Sequence, residues 1–176
     1  MTDQRTGKAT AELFERVILA RLGAKDLDVI VPPQHGVDVG VVRVAPGVAM
    51  ALTADPVFVV PAYGWERAAW FAVHILASDA STSGLPLRWM SVDLNLPPDI
   101  SDEDLDALWT AFHKACEDLG VAVVTGHTGR YDGCSWPMVG GATCMALGAE
   151  DGWVTPTMAR PGEAKTSPIN NKFVNE

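Results

Sequence analysis

Residues 77–84, Ala77-Ser78-Asp79-Ala80-Ser81-Thr82-Ser83-Gly84, end the most alanine-rich stretch of this chain in a dense polar run. Upstream of them Trp65, Ala68, Ala69, Ala72, Val73, Leu76 and Ala80 recur at i, i+3, i+4 intervals, which predicts a helix from Trp65 to about Ser83, closed by Gly84 and Pro86. Its small side chains let it lie close against a sheet or a second helix, so it is expected to be the central buried helix. The polar end is the anomaly, because buried polar groups cost free energy unless they are hydrogen-bonded or bound to something.

Working outward, Arg88 to Leu96 alternates cleanly, with Met90, Val92, Leu94 and Leu96 on one face and Trp89, Ser91, Asp93 and Asn95 on the other, the period of a strand. Pro97-Pro98 ends it. Ser101 with Asp104 three residues on opens a helix through Leu105, Leu108, Phe112, Ala115 and Leu119, stopped by Gly120. Val121 to Val124 reads as a buried strand leading into a loop at Thr125-Gly126-His127-Thr128, and an apolar strand follows around Pro137 to Leu147.

Before the central helix, Leu13, Phe14, Val17, Ile18 and Leu22 mark a helix over Thr10 to Leu22 with Gly23 as its stop. Val29 to Val31, Asp38 to Val44 and Ala49 to Thr53 read as a strand and then a hairpin turning at Pro46-Gly47. Strands and helices are interleaved without strict βαβ alternation, which predicts an α+β domain over residues 1–162. Residues 163–176 read as a polar tail or linker.

At 176 residues and 48% hydrophobic, the chain suits one well-packed domain. No apolar run reaches the roughly 20 residues of a membrane helix, and the N-terminus lacks the apolar core of a secretory signal, so the expected location is the cytoplasm, with no membrane partner. A net charge of -9 argues against a nucleic-acid partner. It leaves a nucleotide open, since a metal ion neutralises phosphate locally. Cys116, Cys134 and Cys144 form no Cys-x-x-Cys pair and read as buried or incidental thiols.

The residues suited to chemistry are Asp38, Asp55 and Asp79, each at or near the end of a predicted apolar element. Magnesium takes carboxylate oxygens and keeps several waters, so one to three aspartates plus substrate phosphates satisfy it. Taken one at a time, each aspartate also suits a turn or a helix break. His127, between Gly126 and Gly129, is placed to donate to a phosphate, to act as a base, or to fill a turn; His74 reads as a core histidine. There is no Gly-x-Ser-x-Gly elbow, no Walker-type loop and no Gly-x-Gly-x-x-Gly after a strand, so a nucleotide would be held through metal and carboxylates.

The ordered set Gly36-Val37-Asp38, Thr53-Ala54-Asp55-Pro56, Gly64-Trp65, Ser78 to Gly84 and Gly126-His127-Thr128 resembles the N-terminal domain of the aminoimidazole ribonucleotide (AIR) synthetase superfamily, over about Gly7 to Gly162. That superfamily includes thiamine-monophosphate kinase, selenophosphate synthetase and the hydrogenase maturation factor HypE, and the motifs look most like the HypE-type branch. The resemblance implies an α+β domain with a mixed or antiparallel sheet, helices on one face, and strands that join a partner's in a shared barrel, making a homodimer. It implies ATP and Mg²⁺ as cofactors, with Asp38, Asp55 and Asp79 as the Mg²⁺-ATP carboxylates and Gly126, His127 and Thr128 as the phosphate-proximal loop. Catalysis in such families is mostly positioning and charge stabilisation.

Departures from the family pattern are specific. Val37 and Val39-Gly40 stand where a second acid and small residues are usual, and Thr125 and Gly129 flank the His127 motif where a glycine and an acid are usual. The family's second domain is missing from these 176 residues. The resulting expectation is a Mg²⁺-ATP-binding domain of a HypE-like enzyme that phosphorylates or dehydrates a small molecule or carbamoyl group. The alternatives are a non-catalytic dimerisation or nucleotide-binding remnant and a thiamine-monophosphate kinase-like phosphotransferase.

Overall fold

The computed structural model describes residues 7–161. The expected tail at 163–176 lies outside them. Near the N-terminus Thr10 caps a short helix, its Oγ1 accepting from Leu13 N at 3.3 Å. This helix, α1, is α-helical over Ala11–Leu13 and π-helical over Phe14–Leu19.

Six strands follow: β1 (Val29–Val31), β2 (Gly40–Ala45), β3 (Val48–Phe58), β4 (Leu87–Leu96), β5 (Ala122–Arg130) and β6 (Met138–Ala149). They form one mixed sheet in the order β1-β2-β3-β6-β4-β5, antiparallel except for the β4–β5 pair. The long helix α2 (Trp65–Ser81) joins β3 to β4, and α3 (Asp102–Leu119) makes the crossover from β4 to β5 that a parallel pair requires. The expected α+β architecture is the one observed.

Both long helices cover the same side of the sheet. In β4 Met90, Val92, Leu94 and Leu96 are buried beneath them while Trp89, Ser91, Asp93 and Asn95 alternate outward. The main core joins these residues to Val57, Ala69, Ala72, Val73 and Leu76 and to Leu108 and Phe112 of α3. A second cluster, Val31, Val37, Val39, Val41, Ala49, Ala51, Leu85 and Ala146, closes the other end.

The start of α3 is as expected: Ser101 Oγ accepts from Asp104 N at 3.0 Å, and Gly120 ends the helix in the left-handed conformation. Ser101→Ala removes that acceptor and is expected to cost about 1 kcal/mol, read as a lower urea midpoint at unchanged m.

The structure corrects three details. The β3 strand runs five residues past the expected Thr53, so Asp55 sits within a strand. Pro56 is tolerated there because β2 pairs with β3 no further than Leu52, leaving that edge without a ladder bond to lose. The stretch Ala122–Arg130 is an exposed edge strand rather than a buried strand and a loop. His74 is half-buried on the outer side of α2, its ring stacked on Trp70 at 3.9 Å.

Candidate functional site

The polar end of α2 is mostly satisfied by its own backbone. Ser81 Oγ donates to Ala77 O at 2.7 Å, Thr82 Oγ1 to Asp79 O at 2.7 Å and Ser83 Oγ to Ala80 O at 2.6 Å. These hydroxyls account for the buried polarity. Asp79 is left with a carboxylate that makes no hydrogen bond among the described residues.

Alternation along β3 turns Asp55 to the helix-covered face, with Thr53 and Val57. Asp38 lies two residues before Gly40, whose partner is Leu52; extending that antiparallel register sets Asp38 beside Ala54. Asp38 and Asp55 line one cleft, and repulsion from both reaches Asp79 at the end of α2, so the three carboxylates, distant in sequence, stand near one another. Burial raises the pKa of Asp55 above the ordinary 3.8, and repulsion by Asp38 adds to it. Burial likewise raises Asp79, followed by repulsion from Asp55 and Asp38.

Lys8 is the neighbouring cation. Its Nζ pairs with Asp38 Oδ1 at 3.2 Å, a bond that raises the lysine pKa, and its charge partly offsets the repulsion at Asp55 and Asp79. Both partners are largely exposed, so the pair contributes little to stability. A cleft of about 780 Å³ opens beside Asp38 and Asp55, walled by Lys8, Phe14, His35, Thr53 and Thr143. Among the described residues no three His, Cys, Asp or Glu side chains converge tightly enough to enclose a metal by themselves.

A pH dependence follows. With folded pKa values raised, the native state binds more protons than the unfolded chain between pH 3.8 and the raised values, so this contribution to stability falls as pH rises through that window. Asp55→Asn removes its share of the penalty. The variant is expected to melt on the order of 1–3 °C above wild type at pH 7 without divalent ions, the gap shrinking toward pH 4, as followed by thermal denaturation.

The segment Gly126, His127 and Thr128 is not brought to this cleft within the chain. His127 pairs in register with Asp93, Asp93 with Gly141 and Gly141 with Pro56, a row on the open face of the sheet. Asp55 belongs to the next row, with Ala142, Val92 and Gly126, and faces the helices. Three strand spacings, roughly 14 Å, separate the Asp55 and His127 backbones. The His127 ring stacks on Tyr131, with Nε2 2.5 Å from the tyrosine hydroxyl. At Gly126 the β4 backbone comes close: an added Cβ would lie 1.9 Å from Val92 O.

Sequence reasoning missed Asp93 and the Gly140-Gly141 pair, which line an open-face groove of about 440 Å³ with Ser91 and Thr143. The strand alternation that put Asp93 opposite the core was the signal available. Burial holds two of the thiols protonated, raising Cys116 to about 11 and Cys144 to about 12, while Cys134 is half-buried. No described helix is long and apolar enough to cross a membrane.

The family model for the AIR synthase related protein, N-terminal domain, matches residues 36–148. No curated protein matches. Among solved structures, AaThiL complexed with AMPPCP and TMP aligns with TM-score 0.62 and 22% identity over 88% of this chain and 48% of that one. HypE in the HypE-HypF complex aligns with TM-score 0.62 and 20% identity over 85% of this chain and 47% of the other. PurL of Thermotoga maritima complexed with AMPPCP aligns with TM-score 0.57 and 23% identity over 85% and 25%. This chain thus spans about half the length of the first two and a quarter of the third, and at these identities the likeness is one of fold. By the family model, the chain belongs to the AIR synthase related proteins and carries their N-terminal domain.

Proposed function

We propose that this domain binds ATP with Mg²⁺ in the cleft beside Asp38, Asp55 and Asp79, as the nucleotide-binding part of an ATP-dependent enzyme that phosphorylates or dehydrates its substrate. The observation that carries the reading is a pair of carboxylates, Asp38 and Asp55, in one cleft wall, with Asp79 close enough to be repelled by both and a single Lys or Arg, Lys8, lining that cleft. Such a cluster repels a bare triphosphate and favours one whose charge a divalent cation has reduced.

The donor set fits Mg²⁺. Carboxylate oxygens are its preferred protein ligands, and a site with one or two direct carboxylates completed by water and phosphate does not need a closed cage. Asp38, Asp55 and Asp79 would hold it, and when bound it would offset the charge of the phosphates. Lys8, now on Asp38, is the group free to exchange onto a phosphate oxygen. Gly126, His127 and Thr128 enter this proposal only through a homodimer, in which a second copy brings its β5 to the first copy's cleft.

The acceptor divides the readings. HypE-type and thiamine-monophosphate kinase-type activities have equal support, since AaThiL and HypE align with the same TM-score and AaThiL was solved with AMPPCP and TMP. Incubation with ATP, Mg²⁺ and thiamine monophosphate separates them: formation of ADP and a diphosphate product favours the kinase, and absence of acceptor-dependent turnover counts against it. The departures at Val37, Val39 and Thr125 favour the remnant reading. ATP turnover lost in Asp55→Asn would exclude it.

A further inference from the structure

On the face of the sheet away from the helices, Ser91, Asp93 and Thr143 line the groove of about 440 Å³ whose walls include Gly140 and Gly141. Gly141 is the cross-strand partner of Asp93, and Thr143 that of Ser91. Having no side chain, Gly141 leaves open the space beside the Asp93 carboxylate. Ser91 and Asp93 stand two residues apart on one face of β4, roughly 7 Å, and directly paired side chains of an antiparallel ladder lie about 5 Å apart. The three oxygen-bearing side chains therefore ring one small space.

Each of them has an oxygen to spare. Asn95 Nδ2 donates to Asp93 Oδ2 at 3.0 Å, and Oδ1 has no partner among the described residues. The Ser91 and Thr143 hydroxyls likewise bond to no other group among the described residues. The contrast is with Ser81, Thr82 and Ser83 at the end of α2, whose hydroxyls are all bonded to backbone carbonyls. No Lys, Arg or His lines the groove. His127, in register with Asp93 on β5, turns its Nε2 to the Tyr131 hydroxyl instead. A half-buried carboxylate thus lies in a groove with no cation paired to it among the described residues.

We propose that this groove binds the primary ammonium group of a small molecule. Such a group carries three N–H donors and no acceptor, and the groove presents three free acceptors, one of them charged. The bond to Asp93 is charge-assisted and supplies most of the affinity, while the hydroxyls of Ser91 and Thr143 fix the orientation. A neutral alcohol lacks the charge, and a quaternary ammonium lacks the donors. Ala54, Asp55 and Thr143 line both this groove and the acid cleft, so the bound amine lies next to that cleft. The assignment uses neither Mg²⁺ nor a nucleotide.

Amide-resolved NMR titration of the full chain with ethanolamine, without nucleotide or divalent ion, tests it. Ethanolamine is expected to shift the amide signals of Ser91, Asp93, Gly141 and Thr143 saturably, with a dissociation constant on the order of 1 mM. Ethylene glycol, its uncharged isostere, and tetramethylammonium, a cation without N–H donors, are each expected to bind at least about tenfold more weakly. Asp93→Asn is expected to weaken ethanolamine binding at least about tenfold, and Thr143→Val at least about threefold. Both changes are close to isosteric, and the same spectra show whether each variant is folded. Absence of a saturable shift at these residues overturns the proposal, as does a shift confined to the cleft of Asp38 and Asp55. Equal affinity for ethanolamine and either control compound overturns it too. So does an Asp93→Asn or Thr143→Val protein that binds ethanolamine as tightly as wild type. Failure of Mg²⁺-ATP binding leaves all of these results unchanged.

Discussion

Asp79→Asn is expected to weaken Mg²⁺-ATP binding by at least tenfold, about 1.4 kcal/mol, while leaving ATP binding in excess EDTA no weaker than in wild type. The two arms separate a metal ligand from a general disturbance. With the divalent ion present, the amide offers a poorer ligand and no negative charge to hold it. With the ion removed, the same change deletes a carboxylate near the triphosphate and relieves repulsion. Asp79 sits at the end of α2 with its neighbours' hydroxyls already bonded to backbone carbonyls, so Asn fits without disturbing the helix terminus. Isothermal titration of both proteins in Mg²⁺ and in EDTA gives the four affinities needed. Equal weakening in both solutions would remove Asp79 from the metal site, and unchanged affinity in Mg²⁺ would remove it from the nucleotide site.

Gly140→Ala is expected to destabilise the domain by about 4 kcal/mol or more, whereas Gly141→Ala next to it is expected to change stability by less than about 1 kcal/mol. Gly140 has φ +136°, a conformation that side-chain-bearing residues rarely adopt, and an added Cβ would lie 1.8 Å from Asp93 O. The obstacle is the backbone of β4 in the middle of the sheet, which cannot step aside without breaking the β4–β6 ladder. At Gly141 the nearest atom to an added Cβ is Asp55 O at 3.7 Å, an ordinary contact. Urea denaturation of the two variants compares them in one strand, one residue apart. Similar midpoints would mean that β6 has enough freedom to relax around residue 140.

Much of the architecture was legible because alternation and helical stripes are local consequences of burial. Arg88 to Leu96 announced both its strand and its inward face, and the Ala68–Ala80 stripe announced the face of α2 that contacts the sheet. Ser101 and Gly120 marked both ends of α3 through the hydrogen bonds that helix termini lack. The errors fell where local pattern is ambiguous. A proline inside β3 reads as a stop unless one knows that the neighbouring strand has already ended. Thr125-Gly126-His127-Thr128 reads as a loop because its glycine suggests freedom, whereas Gly126 is required by a backbone packed against it.

By itself the sequence determined the α+β class, the helix-facing residues and which aspartates were worth watching, since those follow from residue type and period. Only the tertiary structure decided which of the candidates share a site. Asp38 and Asp55 line one cleft beside β3, and Asp79 at the end of α2 stands near enough to be repelled by both. His127 stays apart from them because β5 lies three strands from β3 in the sheet, an order set by pairings distant in sequence.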